Sequence, residues 1–481
     1  MKIMDLSTFN KKFEHESVKV MRDFNVPGMS VLVTRDGKTI YERAFGLRKR
    51  GEVRETTVDT LFGVSSITKS VTNLGILQLY EEGKLDLLDP ISKHIPVEIG
   101  IKDQPIKIHD LMCHGSGVPS LMTFYMSQMN QSLYKPKAPL FPLGNWDDFY
   151  FHVNDAKSEV LSPPGTKYYY WNAGFALLGK IIEKVSGMPY EEYVRQKILL
   201  PLDMNRSTFA KKDVDTDSDT AVGYGYEWTE DRIKRHAKPL LTDKFIAGSG
   251  GLISSVREMT NYLLCQLNEG EYKGKRILSK ELIKKMWEPH NQNIQASSQE
   301  MCPGSTAAYG YGWIVYENYH GYTVFTHQGV SGVTGGNVAF IPELNITYAQ
   351  LYNVSWIPSH LMHRALTLLI GKNPDEVMPF YKRRKHYRKL SGRYDGYKKS
   401  ITLNIELREG LLYLIDDNWT DKTVTPLIPM NDDPEVMDFY VIFPQGKMNV
   451  PFTELPNGAV VFEYERHLVH KKTLELEEEN I

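Results

Sequence analysis

Cysteine is scarce in this chain. Only Cys113, Cys265 and Cys302 occur among 481 residues, and they stand far apart. An odd number at wide spacing supplies neither a disulfide framework nor a thiolate metal cluster, and reduced thiols are expected. A surplus of one charge is also lacking. Lys and Arg total 57 against 59 Asp and Glu, a formal charge of −2, which argues against a dedicated nucleic-acid binder. No uninterrupted apolar run of about 18 residues occurs, so a membrane-spanning helix is not expected. The segment from Met1 to Ser7 has no apolar h-region, so no secretory signal and a cytoplasmic location are expected. Internal repeats and low-complexity tracts are missing too. His360-x-x-His363 and His467-x-x-His470 have no partner pairs at ligand spacing, so neither a metal nor any other cofactor is expected. No G-x-S-x-G elbow occurs, which disfavours an α/β-hydrolase. Cys113 beside His114 suggests a thiol nucleophile, but a buried structural cysteine is the better expectation.

What is present is an ordinary globular composition, 41% hydrophobic and 11% aromatic, enough for large packed cores. Ser17 to Phe24 reads as a helix. The runs on either side of Asp36-Gly37 read as a β-hairpin from Gly28 to Glu42. Val71, Leu74, Leu77 and Tyr80 give helical spacing over 66–82, with Gly83 as a stop. Residues 173–200, Val256 to Leu267 and Ser359 to Leu369 read as helices, and Val338 to Tyr352 as strand. The aromatic-rich stretch 120–155 is either a surface excursion or a lid over an apolar cleft. Residues 374–390 are basic and read as a linker with a solvated face. Beyond it, short apolar runs alternate with turn signals and no helical pattern intervenes, which predicts a small antiparallel barrel or sandwich. The expected domains are therefore 1–373, a linker 374–390, and 391–481.

Chemistry can reside at three places. Gly63-Val64-Ser65-Ser66-Ile67-Thr68-Lys69-Ser70 nearly fits a phosphate loop, but Thr68 stands where the second glycine is required. The same segment reads as Ser66-x-x-Lys69. Residues three apart on a helix share a face, and a desolvated lysine can lose its proton and activate a serine hydroxyl. A capped helix with a surface lysine is the plainer alternative for that motif alone. Tyr170-x-Asn172 stands just before a helical pattern, and His327-Gln328-Gly329 ends a strand-like run followed by further glycines. Glycine there lets backbone approach a substrate closely.

Taken in order, Ser66-Ile67-Thr68-Lys69, Tyr170-Trp171-Asn172 and His327-Gln328-Gly329 resemble the serine penicillin-recognising family: class C β-lactamases, D-alanyl-D-alanine carboxypeptidases and their esterase and peptidase relatives. Ile106 to Gly117, Pro201-Leu202-Asp203-Met204 and Ala247 to Leu252 look like family segments as well, and the resemblance covers about residues 15–370. It implies an α+β fold of the β-lactamase type, with a helical part over about 66–240, an antiparallel sheet built from both flanks, and the site between them. It implies that Ser66 is the nucleophile of an acyl-enzyme, that Lys69 and Tyr170 share the proton work, and that Asn172 holds the substrate amide. His327 would anchor a carboxylate or tune Tyr170, and the backbone N–H groups of Ser66 and of Val330, after Gly329, would form the oxyanion hole. Lysine is usual at the third motif in β-lactamases, so His327 points away from efficient β-lactam turnover. The segment opening at Leu390-Ser391-Gly392-Arg393-Tyr394 looks like the lipocalin-like barrel of some relatives, among them archaeal peptidases that form closed oligomers. The expected function is a serine peptidase acting on small peptides or amino-acid amides. A carboxylesterase or weak β-lactamase is the alternative within the family, and a non-catalytic ligand-binding protein the alternative outside it. The expected partner is a peptide or other small-molecule substrate, with homo-oligomers in prospect.

Overall fold

A computed structural model describes residues 6–121, 143–228, 233–292, 294, 298–418, 421–444 and 446–472. The chain divides into two compact units, 1–298 with 304–371, and 299–303 with 372–481. Most of the 120–155 stretch lies outside the described residues. Within it, Trp146–Asp155 is a helix capped by the Asn145 side chain, which accepts from the N–H groups of Asp147 and Asp148.

The first unit contains a seven-stranded sheet in the order Thr306–Tyr309, Ile314–Tyr319, Tyr322–Val330, Gly335–Ile341, Ile346–Tyr352, Gly28–Arg35, Lys38–Gly46. Every neighbouring pair is antiparallel. The expected N-terminal hairpin is thus a sheet edge, turning at Asp36-Gly37, where both residues have positive φ. Residues 338–352 are not one strand. They are parts of two strands joined by a turn at Pro342–Leu344, which closes at Asn345 with φ 49°. The first helix runs from Leu6 to Asp23, longer than the sequence pattern suggested. Its buried stripe, Phe9, Phe13, Glu16, Ser17 and Val20, follows helical spacing.

Helix Thr68–Glu81 is the centre of the helical layer, and every residue from Thr68 to Leu79 is buried. A helix covered on all sides must satisfy its polar side chains internally. Gln78, which interrupts the apolar run, donates to the carbonyls of Lys197 and Ile277 and accepts from the Tyr193 hydroxyl. Helix Asn172–Ser186 packs against it and stops at Gly187, φ 72°, so the 173–200 pattern is not one continuous helix.

In the second unit, eight strands between Gly392 and Lys471 close into an antiparallel barrel. A barrel of this size has an interior that side chains can fill, and here they fill it. Tyr394, Phe439, Phe452 and Phe462 are buried, with ring centroids 4.8–6.1 Å apart. The barrel is a packed core rather than a ligand cup. Residues 374–390, expected as a linker with a solvated face, are helical. They form helices Pro374–Val377 and Pro379–Leu390, and Tyr387 and Leu390 belong to the barrel core. His386 shares the buried face and bonds to the Val436 carbonyl at 2.8 Å. No helix among the described residues is long and apolar enough to cross a membrane.

Candidate active site

Ser66 stands in a single tight turn, Ser65–Ile67, at the head of helix Thr68–Glu81. The turn is clamped. Val64 N–H donates to Leu252 O, Thr68 Oγ1 donates to Ser65 O, and Leu252 N–H donates to Thr68 Oγ1. Ser65 has φ 54°, a left-handed backbone that costs a side-chain-bearing residue roughly 1–2 kcal/mol. That strain sits directly before Ser66, which is half-buried and solvent-accessible while its neighbours are buried.

Lys69 lies one turn on, on the same face. Its Nζ is 3.0 Å from Ser66 Oγ and donates to Ser249 O at 2.7 Å. The amine is fully buried, and burial holds its pKa well below the ordinary lysine value. It sits 4.7 Å from the centroid of the Tyr170 ring and 5.5 Å from that of Phe175. Ser249 belongs to the short helix Ala247–Gly250, packed against both central helices.

Tyr170 is in the extended segment before helix Asn172–Ser186, and Asn172, half-buried, opens that helix. The segment is tied to the Cys113–Gly117 turn. Gly165 N–H donates to Gly115 O at 2.7 Å, and Tyr169 N–H to His114 O at 3.0 Å. A Cβ at Gly117, φ 77°, would meet Ser162 O at 2.0 Å, so only glycine allows this approach. Cys113 itself is buried and its thiol is pushed up to about 12, chiefly by burial, which leaves it protonated and unsuited as a nucleophile.

The third motif lies on strand Tyr322–Val330. A Cβ at Gly329 would come within 2.0 Å of Val64 O and 3.2 Å of Ser65 Cβ. The strand's main chain therefore lies directly against the turn that carries Ser66, with Val330 next along it. His327 is 2% exposed and its two nitrogens are both engaged. Nδ1 is 2.9 Å from Gln328 O, a group that only accepts, so Nδ1 carries the proton. Nε2, 3.0 Å from the Tyr309 hydroxyl, is then the acceptor. Burial and the Lys69 charge press its pKa down to about 3. His327, expected either to anchor a carboxylate or to tune Tyr170, has both ring nitrogens engaged in internal hydrogen bonds.

The fold therefore collects Ser66, Lys69, Tyr170 and the Gly329 backbone, and puts His327 within the field of Lys69 without a charge of its own. Sequence reasoning gave no role to Ser249 or Tyr309. Ser249 lay inside a segment already noticed, while Tyr309 carried no signal of its own. Among the described residues no cluster of three or more His, Cys, Asp or Glu could hold a metal ion. His363 bonds through Nδ1 to the Tyr319 hydroxyl.

A strained serine turn between a buried helical layer and an antiparallel sheet is the architecture of β-lactamase-like proteins. Residues 16–371 match the Beta-lactamase family, and the chain belongs to it. Members of this family are generally serine hydrolases. Residues 374–470 match the Pab87 octamerisation domain. The chain is similar to the octameric penicillin-binding protein homologue from Pyrococcus abyssi, with a TM-score of 0.82 at 33% identity, covering 96% of this chain and 99% of that one. Penicillin-binding protein 4* of Bacillus subtilis (strain 168) is 26% identical over 316 residues, 62% of each chain. Protein flp of Staphylococcus aureus (strain MRSA252) is 24% identical over 344 residues, 70% of this chain and 62% of its own length. The chain thus spans less than two thirds of the length of these curated relatives.

Proposed function

We propose that the chain is a serine hydrolase that works through an acyl-enzyme on Ser66 and acts on small peptides or amino-acid amides. The observation that carries this reading is the buried Lys69 amine, 3.0 Å from Ser66 Oγ. A neutral amine can donate to Ser249 O and still take the Ser66 proton on its lone pair. Tyr170, beside that amine, passes the proton to the leaving group. The N–H groups of Ser66 and Val330 receive the developing oxyanion, and Asn172 holds the substrate amide.

His327 bears on the substrate. A neutral, internally bonded imidazole offers no fixed charge to a terminal carboxylate, so peptides read from their C-terminal acid and β-lactams with their carboxylate are poorer substrates. Acyl groups next to uncharged or N-terminal moieties are favoured. Specificity constants for aminoacyl p-nitroanilides, p-nitrophenyl esters, C-terminally free peptides and a chromogenic cephalosporin test this, with Ser66→Ala as control. Highest values for the cephalosporin or the free-acid peptides would refute the substrate class, and undiminished turnover by Ser66→Ala would refute the hydrolase reading itself.

The match of residues 374–470 to an octamerisation domain, and the octameric relative, support a homo-oligomer assembled through the barrel unit. Native mass spectrometry of the full chain tests it, and a monomer at micromolar concentration would contradict it.

A further inference from the structure

His114 stands at the edge of the site and the acyl-transfer scheme gives it no task. It is 1% exposed, with backbone φ 58°. It receives two main-chain bonds from one short segment: Tyr169 N–H donates to its carbonyl at 3.0 Å, and Trp171 N–H donates to its Nδ1 at 3.1 Å. These two amides flank Tyr170. Its ring lies 4.1 Å from the Tyr170 ring, with 36° between the planes. The rings of Tyr309, Phe175 and Tyr168 close the remaining sides at 4.9, 5.0 and 5.7 Å.

Acceptance at Nδ1 fixes the tautomer, since a neutral imidazole that accepts at one nitrogen carries its proton on the other. The Nε2–H has no hydrogen-bond partner among the described residues, a costly position for a buried donor. Burial keeps the ring neutral. An apolar side chain here would spare the Nε2–H but would leave the buried Trp171 N–H without its acceptor. What an apolar side chain cannot do is hold the amide that follows Tyr170.

We propose that His114 is the positioning residue of Tyr170: it grips the backbone on both sides of the phenol and lays a flat ring against it, so that the hydroxyl keeps the orientation that proton transfer at Ser66 requires. The assignment rests on the acyl-enzyme reading above, and it is tested on the Ser66-dependent rate only.

The test is a double-mutant cycle on the full chain with an aminoacyl p-nitroanilide. His114→Phe keeps a ring but loses the acceptor for Trp171 N–H. It should lower kcat by about 10- to 100-fold, a part of the roughly 10²- to 10⁴-fold that a positioned acid–base group supplies, and change KM less than threefold. In a Tyr170→Phe background the same substitution should cost no more than about twofold, because its effect passes through the phenol. An equal loss in both backgrounds would overturn the proposal, as would an unchanged kcat or a loss confined to KM. Should His114→Phe fail to fold, His114→Asn, which retains a side-chain acceptor near the Nδ1 position, carries the same cycle and is expected to recover part of kcat. Turnover that survives Ser66→Ala would remove the hydrolase reading, an outcome distinct from failure of the cycle.

Discussion

Replacing Gly329 by alanine probes the closest approach in the site. The added Cβ would meet Val64 O at 2.0 Å. Favourable carbon contacts lie at about 3.5–4.0 Å, so relief of the overlap demands a shift of roughly 1.5–2 Å between strand Tyr322–Val330 and the turn bearing Ser66. Neither partner yields easily. At Gly329 the strand is paired with Gly336 of strand Gly335–Ile341, and the turn is clamped by Leu252 and Thr68. The shift separates the two amides assigned to the oxyanion. A misplacement of about 1 Å costs about 10²-fold in rate, and losing one oxyanion donor costs about 2.7–4 kcal/mol. Gly329→Ala should therefore slow acylation by about 10²- to 10³-fold. Gly250→Ala is the matched control, since its Cβ would make only ordinary contact with Ser65, at 3.5 Å from the nearest atom, and it should remain within a few-fold of wild type. Stopped-flow acylation with a p-nitrophenyl ester reads both, and circular dichroism checks the fold. Equal acylation rates for Gly329→Ala and wild type would refute the close-approach argument.

Lys69 makes a prediction about pH. Its ordinary value is 10.5, and burial lowers it in the fold. Between the lowered value and 10.5 the unfolded chain holds the extra proton, so the group costs stability at neutral pH and the cost fades as pH rises. Urea unfolding should show wild type gaining on Lys69→Met from about pH 7 to pH 10, and a difference flat in pH would contradict it. In the proposed scheme the deprotonated amine is the base, so kcat/KM should hold through neutral pH and fall on the acid side as Lys69 takes up a proton. Capping the C-terminal carboxylate of a peptide substrate as an amide should not lower kcat/KM, because His327 is neutral; a tenfold preference for the free acid would show an anchoring charge. In the barrel, Phe452→Ala removes a ring packed against Tyr394, Phe439 and Phe462. It should cost about 3–5 kcal/mol in denaturant unfolding of that unit and shift native mass spectra toward smaller species.

The site was legible where chemistry is written in short local patterns. Ser66 and Lys69 share a helix face whatever surrounds them, and the order of the three motifs carried the fold with it. The Asp36-Gly37 turn and the buried helix Thr68–Glu81 were readable for the same reason, as local turn chemistry and periodicity. The charge state of His327 was not. It depends first on burial, and Tyr309, which occupies its Nε2, is a neighbour that sequence gives no reason to place there. Ser249 and His114 escaped similarly, since one reaches Lys69 across 180 residues and the other holds a segment 57 residues away. The basic stretch 374–390 misled through composition. Its many charges read as a solvated linker, while Tyr381, His386, Tyr387 and Leu390 formed a buried face that the charges concealed.

The most direct test of the account is intact-mass spectrometry of the full chain mixed with a slowly deacylating ester, followed by peptide mapping. One acyl group per chain should appear on the peptide containing Ser66, and Ser66→Ala should show none and no turnover. An adduct on another residue, or a Ser66→Ala variant that still acylates, would contradict it.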